Sequence, residues 1–151
     1  MKKCQFALVI VCFFLTASCG IEGVSHTGDR TGSLYAVWSL ETKKEANYEV
    51  NYSDFHFFLA FGEFPFPHAI AKKGSFSSFD LKDVDVDGVR FTYNADKKKI
   101  SFKKTLWLSE GLTHHMRLSG TYDVVELTDN KLVLQQDTAG SKTVYSYRKY
   151  K

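Results

Sequence analysis

Apolar and polar residues alternate along residues 89–102, which is the period of a strand with one buried face. With a turn at residues 95–96, Phe91 would lie opposite Ile100 on the buried side of a hairpin. No helical period interrupts this stretch. The segment therefore predicts two antiparallel strands joined by a tight turn.

A second hairpin is predicted near the end of the chain. Residues 129–130 are Asp and Asn, which tolerate the positive φ of a tight turn. Around that turn Leu127 would face Leu132, and Val125 would face Leu134. Adjacent valines at 124 and 125 break the alternation and predict a bulge near Gly120. Two hairpins without an intervening helix indicate an all-β antiparallel meander.

The first 18 residues have the composition of an export signal. Lys2 and Lys3 precede an apolar run at residues 6–15, and this run is shorter than the ~20 residues that a membrane-spanning helix needs. We therefore expect residues 1–18 to be a signal peptide and exclude them from the fold.

The segment at residues 15–20 consists of small residues around a cysteine and resembles the lipobox of bacterial lipoproteins. The resemblance implies cleavage before Cys19 and lipidation of its thiol, which would anchor the protein to a membrane. Gly20, rather than aspartate, follows Cys19, and by the same resemblance this predicts an outer-membrane lipoprotein of the cell envelope. The alternative is an ordinary signal peptide cut near Ala17 or Ser18. Residues 19–32 are rich in Gly, Ser, Thr and charge and predict a flexible tether.

Removal of the signal peptide changes the cysteine and charge balance. Cys4 and Cys12 are lost, so Cys19 is the one cysteine left and no disulfide can form. The mature chain keeps 18 basic against 17 acidic residues, a net charge of +1. This near-neutral balance gives no sign of a nucleic-acid partner.

Residues 33–151 carry the folded domain. A tryptophan, Trp38, in the predicted opening strand (34–40) and late strands at 118–128 and 131–134 resemble the lipocalin-like domains of small exported bacterial lipoproteins. The resemblance implies an up-and-down β-barrel of about eight strands, with Trp38 packed across its closed end. Independently, residues 143–149 form a last strand that would pair with the opening one and remove the sheet edges.

An irregular insertion is predicted near one mouth of the barrel. Residues 55–61 are apolar throughout and predict a strand buried on both faces, which must end before Pro65. Residues 68–73 then predict a short helical turn, ended by Gly74.

Aromatic residues make up 15% of the chain, which predicts either a dense core or a cavity walled by rings. Trp107 has the opposite strand phase to its inward-facing neighbours, so it is the weakest candidate for a residue that lines such a cavity. As ligand-binding wall residues we select Trp38, Phe58, Phe61, Phe66, Tyr93 and Trp107. The alternative is that the rings plug the barrel, since eight strands enclose little more than their own side chains.

Motifs for metal binding and catalysis are weak in this sequence. Residues 83–88 open like a calcium loop, but its twelfth residue is Asn94 instead of the bidentate acid, so only a residual calcium site stays as an alternative. His114 and His115 are neighbours on a predicted strand and would point to opposite faces. We therefore predict no catalytic residue, no metal, no cofactor and no enzymatic activity.

Together these features predict a lipid-anchored, lipocalin-like protein of the cell envelope that binds a small apolar or amphipathic ligand in its barrel. The alternative function is that of a filled-barrel adaptor, which binds another envelope protein.

Overall fold

A computed structural model of the chain describes residues 33–63, 66–74 and 88–150. The expected signal peptide and tether, with Cys19 between them, and most of the calcium-like segment (83–87) lie outside the described residues. The described residues contain no helix, and so none that could cross a membrane. They form the strands β1 (Val37–Glu45), β2 (Tyr48–Asn51), β3 (Phe57–Gly62), β4 (His68–Lys73), β5 (Val89–Asn94), β6 (Lys99–Glu110), β7 (His114–Leu127), β8 (Lys131–Thr138) and β9 (Ser141–Lys149).

The strands form a closed antiparallel barrel of eight strands with one extra strand. The order is β1-β3-β4-β5-β6-β7-β8-β9, and β9 pairs back onto β1 from Trp38↔Lys149 to Glu45↔Thr143. The extra strand, β2, pairs with the second half of β1. This architecture confirms the predicted up-and-down, lipocalin-like barrel and its closure by the last strand.

Ring-to-ring contacts run across the interior. Phe61 and Phe102 stack with centroids 6.2 Å apart, and Phe102 meets the edge of Tyr122 at 5.9 Å. Tyr122 continues to Tyr145 at 6.2 Å, and Tyr145 stacks on Tyr147 at 6.3 Å. All five rings are buried, so aromatic side chains fill much of the barrel along this line.

A bulge in β1 changes which residues point inward. Trp38 and Leu40 are buried on the inner face, and the pairing with β9 then shifts between Leu40 and Thr42. The extra residue moves the inward phase from even to odd positions, and Lys43 is the next buried residue. A lysine therefore lies inside the barrel end.

The hairpin of β7 and β8 agrees with the sequence prediction at its turn. Leu127 pairs with Leu132, as predicted. One step further, a bulge places Val124, and not Val125, opposite Leu134, so the second predicted pair is wrong. The bulge accounts for the break in alternation, because the register with β8 shifts by one residue between Val124 and Glu126.

The hairpin of β5 and β6 has a longer turn than predicted. Phe91 pairs with Phe102, two residues beyond the predicted partner Ile100. The turn holds four residues instead of two, and the Asn94 side chain accepts a hydrogen bond from the backbone N–H of Lys97 at 2.8 Å. Because the shift is even, the same side chains stay on the buried face.

The predicted helical turn at residues 68–73 is wrong, because these residues form β4. Six residue pairs join β4 to β3, from Phe57↔Lys73 to Gly62↔His68. Pairing with a wholly buried strand satisfies the backbone of both strands, and this outweighs the weak helical tendency of a six-residue segment. Gly74, with φ +98°, ends the segment as expected.

Gly62 and His68 approach each other more closely than any larger residue would allow. They are directly paired, and the imidazole of His68 is fully buried and donates a hydrogen bond from Nδ1 to the carbonyl of Phe66 at 2.6 Å. A Cβ added at Gly62 would lie 2.2 Å from Nε2 of His68. Glycine is therefore required here by the neighbouring ring and not by its backbone angles.

We predict that Gly62→Ala lowers the free energy of unfolding by about 1–3 kcal/mol, because the added methyl group must displace a packed ring. The effect of the double variant Gly62→Ala/His68→Ala should be smaller than the sum of the two single effects, since the clash is absent without the ring. Urea unfolding of the four proteins measures this coupling. Strict additivity would contradict the proposed contact.

Candidate functional site

A recess of about 330 Å³ lies at the end of the barrel where β1 and β8 end and β9 begins. We call it the mouth recess. Strands β1, β8 and β9 contribute Lys43, Glu45, Gln136, Thr143 and Tyr145. Strand β7 contributes His115, Arg117, Ser119 and Tyr122.

Lys43 is the central charged group of the mouth recess. Only 3% of it is exposed, because it pairs with Tyr145 on the inner face after the β1 bulge. Its ammonium group bonds to Glu45 Oε1 at 2.7 Å and to His115 Nε2 at 3.2 Å, and it lies 5.8 Å from the centre of the Tyr145 ring. Because a lysine ammonium group only donates, His115 accepts at Nε2 and carries its proton on Nδ1.

The charges of the recess follow from these contacts. Burial alone would raise the pKa of Glu45. The net effect is a lowered pKa, because the carboxylate accepts hydrogen bonds from Lys43 and Tyr48 and lies beside the charge of Lys43. Burial and the positive charge of Lys43 lower the pKa of His115, which keeps the imidazole neutral at neutral pH. Burial raises the pKa of Tyr145 well above its ordinary value, so this hydroxyl stays protonated.

The edge of β7 that borders the recess is capped by side chains instead of by a strand. Strand β8 pairs with β7 only over residues 123–127, so the backbone upstream lacks a strand partner on that side. The hydroxyl of Tyr52 accepts from the N–H of His115 and donates to its C=O, both at 3.0 Å. The hydroxyl of Tyr145 accepts from the N–H of Arg117 at 3.4 Å and donates to its C=O at 2.9 Å.

Two further side chains continue this capping along β7. The amide nitrogen of Gln136 donates to the carbonyls of Ser119 at 2.8 Å and Thr121 at 3.2 Å. The hydroxyl of Tyr122 accepts from the N–H of Ser119 at 3.3 Å. Every second residue from 115 to 121 thus has a side-chain partner, as the alternation of an antiparallel strand requires. These side-chain bonds replace strand pairing where β7 and β8 do not pair, and residues of both strands line the recess there.

Three of the predicted wall residues lie in or against the main core. Trp38 is fully buried and donates from Nε1 to the carbonyl of Leu34 at 3.0 Å. Phe61 is fully buried, and Tyr93 is partly buried and packs against the same cluster. None of the three lines the mouth recess.

The other three predicted wall residues lie apart from that core. Phe58 belongs to a separate cluster and meets Tyr150 with centroids 4.9 Å apart. Phe66 lies under the guanidinium group of Arg90, 4.0 Å from its ring centre. Trp107 is 54% exposed, in agreement with its predicted outward phase. The six residues therefore do not surround one common space, and ligand binding by them stays a prediction.

His114 and His115 point to different faces, as neighbours on a strand must. His114 stacks on Phe55 with centroids 4.0 Å apart, whereas His115 stacks on Trp107 at 5.4 Å. The described residues hold no group of three His, Cys, Asp or Glu side chains that could bind a metal ion.

A larger depression, of about 470 Å³, lies on the outer surface of β1 and β9. Its charged residues include Glu41 and Arg148, which pair with each other, and Arg148 is 72% exposed. Charges that are solvated and mutually paired recognise a ligand poorly. The mouth recess, with a buried cation, is the better candidate site.

Sequence reasoning missed the mouth recess because its central residue, Lys43, faces inward only through the β1 bulge. The alternation of Trp38 and Leu40 would instead continue to Thr42. A usable signal was the number of tyrosines, eight in the chain, since a buried Tyr needs a hydrogen-bond partner where Phe does not.

In comparisons with known proteins, no family model, no curated protein and no solved structure matches this chain.

We predict that Tyr145→Phe lowers the free energy of unfolding by about 1–2 kcal/mol, because the N–H of Arg117 loses its partner and its C=O keeps only the hydroxyl of Tyr122, at 3.3 Å. Tyr147→Phe is the matched control, since its hydroxyl contacts the weakly accepting sulfur of Met116 at 3.3 Å. Urea unfolding and amide hydrogen exchange of Arg117 report both effects. Equal costs for the two variants, or unchanged exchange at Arg117, would refute the capping role.

Proposed function

We propose that this protein is a lipid-anchored cell-envelope barrel that binds a small amphipathic molecule at its mouth recess. The observation that carries the proposal is the recess itself, about 330 Å³ in size and built around a buried cation. Its size falls at the lower end of the range for small-molecule sites, ~300–1,000 Å³.

An amphipathic ligand fits the recess and its surroundings, because the lining is polar and an exposed indole adjoins it. Polar groups of Lys43, Arg117 and Gln136 line the recess, and the half-exposed ring of Trp107 stacks on His115, which also lines it. Such a combination holds a polar head group by hydrogen bonds and an apolar portion by contact with the indole. By contrast, a purely apolar ligand would leave these polar groups without partners.

Native mass spectrometry of the full-length protein released from its own membrane tests this function. We expect one small-molecule adduct per chain, which should be lost in Ser119→Phe because the ring fills the recess that Ser119 lines. Ser109→Phe, on the exposed surface of β6, should keep the adduct. An unmodified mass for the native protein, or an adduct that survives in Ser119→Phe, would count against the proposal.

The lipid anchor is supported by the sequence alone. A basic start, an apolar run of export-signal length and small residues before Cys19 together match the pattern of a lipoprotein signal. Two or more acyl chains hold a protein stably at a bilayer. Binding of amphipathic molecules would then take place next to a membrane, where such molecules are concentrated.

Metabolic labelling with an alkyne fatty acid tests the anchor. We expect the label in the wild-type chain and in Cys12→Ala, which alters only the segment to be removed. Cys19→Ala should lose the label, since it lacks the thiol that is expected to carry the lipid. Retention of the label by Cys19→Ala, or its absence from the wild-type chain, would contradict lipidation at Cys19.

The second candidate function is an adaptor for another envelope protein. It is favoured by the hairpin of β6 and β7, where Trp107 is 54% exposed and Leu112, at the turn, is fully exposed. Exposed apolar groups of this kind often mark protein contacts. The mass spectrum separates the two candidates, because an adaptor with a filled barrel carries no small-molecule adduct.

A further inference from the structure

The charged residues of the mouth recess are two cations, Lys43 and Arg117, and one carboxylate, Glu45. Other acidic side chains of the barrel, such as Asp123 and Glu126, form ion pairs with lysines elsewhere. No carboxylate of the described residues pairs with Arg117. With His115 neutral, the recess has an excess of one positive charge.

The hydrogen-bond donors of Lys43 are only partly used. An ammonium group has three N–H donors, and Glu45 and His115 accept two of them. On a third side the group meets the ring of Tyr145 at 5.8 Å, which is a weaker contact than a hydrogen bond. Since the residue is only 3% exposed, bulk water has little access to the remaining donor.

The second cation, Arg117, lies beside an apolar surface. It pairs across the hairpin with Trp107, and Trp107 stacks on His115, which also lines the recess. The guanidinium group of Arg117 and the half-exposed indole therefore share one face of the β6–β7 hairpin. A molecule with an acidic head and an apolar chain would meet both.

We infer that the mouth recess binds the carboxylate head group of a small amphipathic acid between Lys43 and Arg117, with its apolar chain directed to Trp107. A single negative charge balances the recess, whereas a phosphate dianion would exceed it. The volume of 330 Å³ equals that of about eleven waters and holds a head group with several carbons. The inference rests on the proposed function and adds the chemical class of the ligand.

Equilibrium dialysis with three eight-carbon probes, octanoate, octanol and octylamine, tests this inference. The full-length lipidated protein is held in lipid nanodiscs, and empty nanodiscs correct for partition into the bilayer. We expect octanoate to bind at least about tenfold more tightly than octanol and octylamine, as hydrogen bonds to charged groups give preferences of this size.

Variants of the charged residues sharpen the test. Arg117→Gln, at an exposed position, should weaken octanoate binding about 3- to 30-fold and leave octanol binding unchanged. Glu45→Gln should strengthen octanoate binding several-fold, because it removes the carboxylate that competes for Lys43. Lys43→Met/Glu45→Gln removes both charges of the Lys43–Glu45 pair, so that neither is left unpaired, and should abolish the preference for octanoate.

Lys44→Gln is the matched control, since Lys44 is the exposed neighbour of Lys43 on β1, and we expect no effect on octanoate binding. Equal binding of octanoate and octanol, unchanged in Arg117→Gln, would overturn the carboxylate assignment and leave the proposed function standing. Weaker octanoate binding in Glu45→Gln would also overturn it, because the pair would then have only a structural role. Failure of all three probes to bind would overturn both.

Discussion

The pairing of β9 with β1 is the constraint on which the rest of the barrel depends. It joins the last and first strands of the barrel through seven residue pairs. Closing so long a loop costs conformational entropy, and burial of residues on both strands, such as Leu40 and Tyr147, offsets it. Closure also leaves no long free edge on these two strands. The β1 bulge lies within this pairing, so the step that closes the barrel also turns Lys43 inward.

Closure at β1 and β9 is combined with an opening between β7 and β8. The two strands pair only near their shared turn, and upstream of Asp123 the edge of β7 is bonded to side chains of Tyr52, Tyr145, Tyr122 and Gln136. Each such bond contributes about 1 kcal/mol, and each unpaired group would cost more. Tyrosine hydroxyls can donate and accept, so one hydroxyl serves both groups of a residue. The mouth recess is therefore a consequence of how side chains provide hydrogen bonds to the β7 backbone where β8 does not pair with it.

The sequence was sufficient for the class and closure of the fold because alternation and turn residues are local signals. The Leu127–Leu132 pair and the last strand are examples. The sequence predicts a helical turn at residues 68–73 because six residues carry little periodicity. Their strand conformation is decided by pairing with β3, which a local sequence pattern does not reveal. The mouth recess was missed for a related reason. Its cation, Lys43, depends on a bulge that only pairing with β9 reveals.

The position of Lys43 bears on why a polar recess exists at all. Taking an ion pair out of water costs several kcal/mol, and a well-packed apolar pair is often as stable or more stable. An apolar residue at position 43 would extend the core formed by Tyr145 and Tyr147, so stability alone does not favour lysine there. A recess that must attract and orient a charged head group does require a cation that is held in place and shielded from bulk water. The interaction of a cation with an anion is stronger in such a shielded position than in water. The arrangement of Lys43, Glu45 and Arg117 meets that requirement, because the Glu45 carboxylate reduces the cost of burying Lys43, while no carboxylate of the described residues pairs with Arg117.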